Sequence, residues 1–343
     1  MSKRRITDLS DAEKQRALDL HEKSLVIDNM VDAFNNIQTL DAVKSVVNVA
    51  AMQLEPERPP LEPIIKNMAD WYSKFEQFKD KLLFVTSIDH MLRAKNDGKL
   101  GILLHTNSAD WIGDDLNILK VFYKLGLRST QLTYNWRNLI GDGCAEASNA
   151  RLSDFGINVV EELNRLGILI NLSHAGHSTS KHTMEISKVP VAFTHSNARG
   201  LCDNVRNISD DLIHMCAEKG GVIGVIAYPS FVSKRSKCSI EDFLDHIDYF
   251  VNMAGIDHVG IGTDINEGFP KEKFEANFQK TLQWLSSRWP DVYLPWPGHY
   301  CPDSILKFPQ IIQGLVVRGY SDQEITKILG GNWFKLYQKI WLG

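Results

Sequence analysis

Ile168-Leu-Ile-Asn-Leu-Ser-His174 and, one unit later, Val189-Pro-Val-Ala-Phe-Thr-His195 decide the fold. Each is an apolar run too short for a helix and too continuous for a strand with one wet face, and each ends in a turn carrying a histidine. Strands buried on both faces read this way, and they belong to parallel sheets covered by helices. Residues 178–188 between the runs have helical period, so the unit is strand, helix, strand.

The same rhythm extends in both directions. Ser24-Leu-Val-Ile-Asp28, Leu100-Gly-Ile-Leu-Leu104, Thr130-Gln-Leu-Thr133, Gly221-Val-Ile-Gly-Val-Ile226 and Val259-Gly-Ile-Gly262 read as further buried strands. Helical segments are expected at 115–124, 153–165, 209–219 and 239–254, several opening on Ser with an acidic residue close behind, as helix N-caps do. Seven strands are legible; for the eighth, residues 291–297 are the candidate. The expected fold class is α/β, a (β/α)8 TIM-like barrel forming a single domain over 1–343. Two insertions, 35–84 and 269–302, are expected as lids over the barrel mouth. The length of 343 residues suits this, since such barrels typically need about 250.

Composition removes several alternatives. With 38 Lys+Arg against 42 Asp+Glu the net charge is -4, leaving no cationic surplus to neutralise a phosphate backbone. No apolar run approaches the roughly 20 residues of a membrane span, and the basic start (Lys3, Arg4, Arg5) has no apolar stretch behind it. The five cysteines (144, 202, 216, 238, 301) form no CxxC pair and read as reduced thiols of a cytoplasmic protein. Dinucleotide, P-loop and GxSxG motifs are missing.

Function is carried by the polar residues at the strand ends. Asp28 and Asp32, His105 and Asn107, Tyr134 and Asn135, His174, His195, Tyr228 and Asp264 fall at successive strand ends, which a parallel barrel gathers on one face. His174 alone reads as a hydrogen-bonded structural residue ahead of a metal ligand. With His195 on the next strand, about 4.8 Å away, the two imidazoles are able to share one cation. Asp264 reads either as a helix cap or as a ligand or general base, and Arg206 as a surface charge or a fork for a substrate carboxylate.

Leu172-Ser-His174, Thr194-His-Ser196, Val205-Arg-Asn207, Ala254-Gly-Ile-Asp-His-Val-Gly-Ile-Gly-Thr-Asp264 and Ile328-Leu-Gly-Gly-Asn332 resemble the renal (membrane) dipeptidase family of zinc metallopeptidases. The resemblance runs in order from about residue 24 to 342. It implies a distorted (β/α)8 barrel with two zinc ions bridged by a glutamate, hydrolysing dipeptides. Carried over by position, it implies metal ligands at His174, His195 and Asp32, substrate contacts at Arg206, Tyr134 and Tyr228, and Asp264 handling the proton. The chain departs from the pattern at three places: Met30 stands for a ligand histidine, Asn107 for the bridging glutamate, and Tyr134 for a histidine. Neutral Asn107 cannot hold two divalent ions together, and a thioether is a poor zinc ligand beside imidazole.

One zinc is therefore expected rather than two, on His174 and His195 with Asp32 or Asp264 and water; His105 is a weaker candidate, and a metal-free chain stays open. The expected activity is that of a cytoplasmic dipeptidase-like metallohydrolase cleaving a dipeptide or related small amide with zinc-bound hydroxide. The alternatives are non-hydrolytic tailoring of a peptide natural product and an inactive binding protein. The expected partner is a small peptide or amino-acid-derived substrate, with no nucleic acid or membrane; a homodimer is left open.

Overall fold

Nine parallel strands organise the computed structural model, which describes residues 4–31, 37–54, 60–235, 238–267 and 300–341. They are β1 (Ile27–Val31), β2 (Val49–Gln53), β3 (Leu82–Phe84), β4 (Leu100–Thr106), β5 (Leu127–Gln131), β6 (Leu169–Asn171), β7 (Ala192–Phe193), β8 (Val222–Val225) and β9 (Val259–Ile261). Eight close into a barrel in the order β1-β2-β4-β5-β6-β7-β8-β9, with β9 returning to β1. β3 lies outside the ring on β4. Every pairing is parallel, so all C-terminal ends meet at one mouth, as the sequence rhythm requires.

The eighth strand is β2, which corrects the placement at 291–297; those residues lie outside the described ones. Val49-Ala-Ala-Met-Gln53 is buried along its first four residues and pairs with β4 from Val49↔Gly101 to Gln53↔His105. Two alanines weaken its hydrophobic signal, and it sits inside the stretch expected to be only a lid. That stretch therefore supplies barrel wall. Of the other expected insertion, residues 268–299 lie outside the described ones.

The helices follow the expected caps. Ser153 accepts a hydrogen bond from the Gly156 N–H at the start of Asp154–Leu166, and Ser239 and Asp242 form a reciprocal cap at the start of Ile240–Ala254. The expected reduced state of all five cysteines is corrected at one pair: Cys238 and Cys301 are joined as a disulfide, their Cα atoms 6.1 Å apart. That separation is within the range a disulfide spans, and no sequence spacing announces it. Cys144, Cys202 and Cys216 are free thiols.

The barrel's last seam needs help, because β1 and β9 share a single register pair, Asp28↔Ile261. The C-terminal helix Asn332–Trp341 supplies it. Tyr337 Oη donates to Asn29 Oδ1 at 2.6 Å, Trp333 Nε1 to the Ile261 carbonyl at 3.0 Å, and Asn332 Nδ2 to the Ile256 and Val259 carbonyls at 2.8 Å each. The Trp333 indole lies so close to Gly260 that an added Cβ would collide with it. Since the indole is hydrogen-bonded and fully buried, it cannot step aside. Gly260→Ala is expected to destabilise the fold by about 1–3 kcal/mol, the usual cost of overpacking. Urea unfolding reads this directly, and an unchanged midpoint would show that the helix is free to shift.

Candidate functional site

The mouth is assembled by short polar ties at strand ends. Asn171 Oδ1 accepts from the Ser173 and Thr194 N–H groups at 2.9 and 3.1 Å, and Ser173 Oγ accepts from His195 N–H at 3.0 Å. These bonds fix the turns leaving β6 and β7 and carry His174 and His195 to one place, ring centroids 5.2 Å apart. Tyr134 stacks on His174 at 4.2 Å. Three residues here, Asn135, His174 and Asp264, have φ of 60°, 68° and 56°, a left-handed conformation that non-glycine residues rarely hold. Cys144 N–H donates to the His174 carbonyl and Ala145 N–H to that of Asn135, both at 2.8 Å, so these contacts hold the first two in place.

The two imidazoles share an arrangement. His174 Nδ1 donates to Asn135 Oδ1 at 2.6 Å, and His195 Nδ1 lies 2.8 Å from Thr194 Oγ1. Neither Nε2 is hydrogen-bonded among the described residues. An imidazole held by one nitrogen with the other left for a cation is how proteins orient metal-binding histidine. Burial, with Arg206 next in importance, holds both pKa values well below the ordinary imidazole range, so both rings are neutral and able to donate a lone pair.

The pair thus fits two places on one ion. Among the described residues no group of three His, Cys, Asp or Glu is arranged to complete such a site. Asp32, the expected third ligand, lies outside the described residues. A pair of ions fits less well. Met30 is buried in β1 where a ligand histidine was expected, and Asn107 is occupied as an amide, its Nδ2 donating to Gln53 Oε1. His105 is also committed. Its Nε2 lies 3.2 Å from Gln131 Oε1 and its Nδ1 3.0 Å from Ser129 Oγ, and Gln131 Nε2 donates to the Asn107 carbonyl at 2.8 Å. Burial depresses the His105 pKa to about 4, so the ring stays neutral, and with both nitrogens hydrogen-bonded it ties β4 to β5.

Arg206 is buried beneath the pair. Its Nη1 donates to Ser196 Oγ at 3.0 Å and its Nη2 to the His195 carbonyl at 2.7 Å, with the guanidinium 5.6 Å from the Phe231 ring centre. Tyr228 stacks on that Phe231 at 4.7 Å. Asp264 is half-buried near Arg206, and burial raises its pKa to about 7 against the pull of that cation. Tyr134, His174, His195, Arg206, Tyr228 and Asp264 therefore converge.

Two contributors were not singled out for these roles. Asp28, inside β1, accepts from Thr263 N–H at 2.9 Å and Thr263 Oγ1 at 2.6 Å, tying the first strand to the turn that carries Asp264. Cys144 lines a cavity of about 150 Å³ beside His174 and Arg206. Burial pushes its thiol up to about 11, so it stays protonated. The alternation of polar ends announces Asp28; nothing in the sequence spacing announces Cys144.

A family model described as membrane dipeptidase (peptidase family M19) matches residues 45–291. The chain belongs to the membrane dipeptidase family. An uncharacterised dipeptidase of Schizosaccharomyces pombe is 33% identical over 202 residues, 57% of this chain and 48% of that protein. The dipeptidase AclJ of Aspergillus oryzae is 30% identical over 239 residues, 68% of this chain and 50% of that protein. The chain thus spans about half the length of the curated relatives it matches. The crystal structure of an amidohydrolase from Pseudomonas aeruginosa is 30% identical with a TM-score of 0.86, covering 95% of this chain and 99% of that one. As a family member, the chain lacks any helix among the described residues long and apolar enough to cross a membrane.

Asp28 is expected to make the stability of this fold pH-dependent. Burial raises its pKa to about 7 despite three hydrogen bonds to the ionised form. The carboxyl holds its proton more tightly in the fold than in the unfolded chain. Its contribution is complete below the ordinary carboxylate value near 4 and is lost as pH rises through about 7. Asp28→Asn copies the neutral acid. Between pH 4 and 8 the parent is expected to lose a few kcal/mol relative to this variant in urea unfolding. Parallel stability curves would contradict the assignment.

Proposed function

We propose that this chain is a dipeptidase-like metallohydrolase using one divalent ion, zinc by donor chemistry, held by His174 and His195. The observation that carries the reading is the paired imidazoles, each oriented through Nδ1 with Nε2 unused, standing over a buried arginine in a barrel of the membrane dipeptidase family. Asp32 is the proposed third ligand, by its place after β1.

Bound there, such an ion supplies Lewis acidity and lowers the pKa of a water, as a site with three protein ligands and an open position allows. The chain's own residues do the rest. Arg206 holds the substrate's terminal carboxylate, its guanidinium fixed by Ser196 and the His195 carbonyl before substrate arrives. Tyr228 packs on Phe231, the ring beside the Arg206 guanidinium, and Tyr134 covers the His174 ring. Asp264, held in a left-handed turn near Arg206, is the group that takes the attacking water's proton and returns it to the leaving amine. The neutral residues at 30 and 107 set this member apart from a two-ion enzyme and favour slower or altered chemistry as the second reading.

Metal analysis of gently purified protein tests this. A metal-to-protein ratio near one is expected, falling to near zero in His174→Ala and His195→Ala together with dipeptide turnover. Arg206→Met is expected to lower kcat/KM by roughly 10- to 100-fold, mainly through KM, the worth of a charged hydrogen bond in uniform binding. No metal, and no turnover of a dipeptide panel after adding zinc, manganese or cobalt, would end the reading.

A further inference from the structure

The cavity beside His174 carries more positive charge than one substrate carboxylate calls for. It is lined by Arg206 and also by Arg199, with His174, Ser196 and Cys144 on its walls, and holds about 150 Å³. That is room for several waters or a short side chain, since one water occupies about 30 Å³ of liquid.

Each guanidinium has five donor hydrogens in a rigid fork. Arg206 uses one on Ser196 Oγ and one on the His195 carbonyl; Arg199 uses one on the Val205 carbonyl at 3.1 Å. The Nε of both side chains is buried without a hydrogen-bond partner, and neither arginine forms an ion pair among the described residues. Arg206 is buried and Arg199 partly so, and burying a cation's donors without partners is costly unless an anion arrives to meet them. The other ionisable groups on the walls do not fill that role. Glu146 is held at the rim, its Oε2 accepting from the Arg137 N–H at 3.2 Å, and His177 is paired with Asp211 at 2.8 Å.

We infer that Arg199 and Arg206 form a two-guanidinium pocket that selects substrates whose C-terminal residue bears a second carboxylate, as aspartate or glutamate does. Arg206 takes the terminal carboxylate, and Arg199 takes the side-chain carboxylate from the same cavity. Arg199 is thus a specificity-determining residue for the reaction proposed above. The inference rests on that reading for the substrate's orientation, and on the cavity itself for its anion.

Binding and turnover separate the two. The binding probes are N-acetylaspartate and N-acetylalanine, which differ by one carboxylate, followed by calorimetry on the full chain. The parent is expected to bind the first roughly tenfold or more tightly than the second, as one charged hydrogen bond implies. Arg199→Gln is expected to abolish that gap, Arg199→Lys to restore part of it, and Arg206→Gln to weaken both ligands. In turnover, the kcat/KM ratio of Ala-Asp to Ala-Ala is expected to fall by a similar factor in Arg199→Gln. Equal affinity of the parent for both probes, or equal losses for both in Arg199→Gln, would overturn the inference. If the binding gap appears and no dipeptide is cleaved, the pocket stands and the proposed hydrolysis falls; if dipeptides are cleaved without the gap, the hydrolysis stands and the pocket falls.

Discussion

Closing the barrel between its first and last strands is the constraint on which the mouth depends. β1 and β9 share one register pair, and the link beyond it is the Asp28 carboxyl, which takes both the N–H and the hydroxyl of Thr263. Asp264 N–H then donates to the Met30 carbonyl at 2.8 Å, so the turn after β9 is fastened to β1. Those bonds hold Asp264 in a left-handed conformation that an L-residue adopts only at a cost of order 1 kcal/mol or more. A buried acid at the seam therefore positions the half-buried acid at the mouth. The price is that the seam is strongest when Asp28 is protonated.

Around the mouth the barrel replaces charge with neutral dipoles. Gln53, Asn107, Gln131 and Asn171 lie at the ends of neighbouring strands, and His105 stands neutral among them. These side chains are tied to one another by hydrogen bonds between neutral groups. The other half of the mouth differs, with two imidazoles leaving nitrogens unused and two guanidiniums leaving donors unused. One side of the mouth is thus a hydrogen-bonded strut, while the unpaired nitrogens of the other side lie in the turns beyond β6 and β7.

The residues visible in the sequence are those that stand directly after long apolar strands. His174, His195 and Asp264 follow runs whose period leaves no other reading, and Arg206 falls in the turn after the fifth of those runs. β2 is hidden because Ala50 and Ala51 contribute little hydrophobic signal, yet small residues suit a strand wedged between β1 and β4. The Cys238–Cys301 bond joins residues 63 apart, and only tertiary proximity brings them together. Arg199 carries no sequence mark at all, since an exposed arginine and one with its Nε buried in a cavity look alike in one dimension. The left-handed turns are hidden for the same reason: Asn135, His174 and Asp264 are held there by bonds from elements distant in the chain, not by local glycine.

The hydrogen bond from Tyr337 to Asn29 spans 308 positions. Asn29 leaves the ribosome 308 positions before Tyr337 does. The seam that Asp28 bridges is thus sealed only after the helix carrying Tyr337 has been made, and contacts this distant form late because chain entropy opposes them. Until then β1 presents an unpaired edge, a surface on which a nascent chain is vulnerable to mispairing. The turn holding Asp264 acquires its shape in that same step, so a chain interrupted before the helix Asn332–Trp341 would lack both a closed barrel and an ordered mouth.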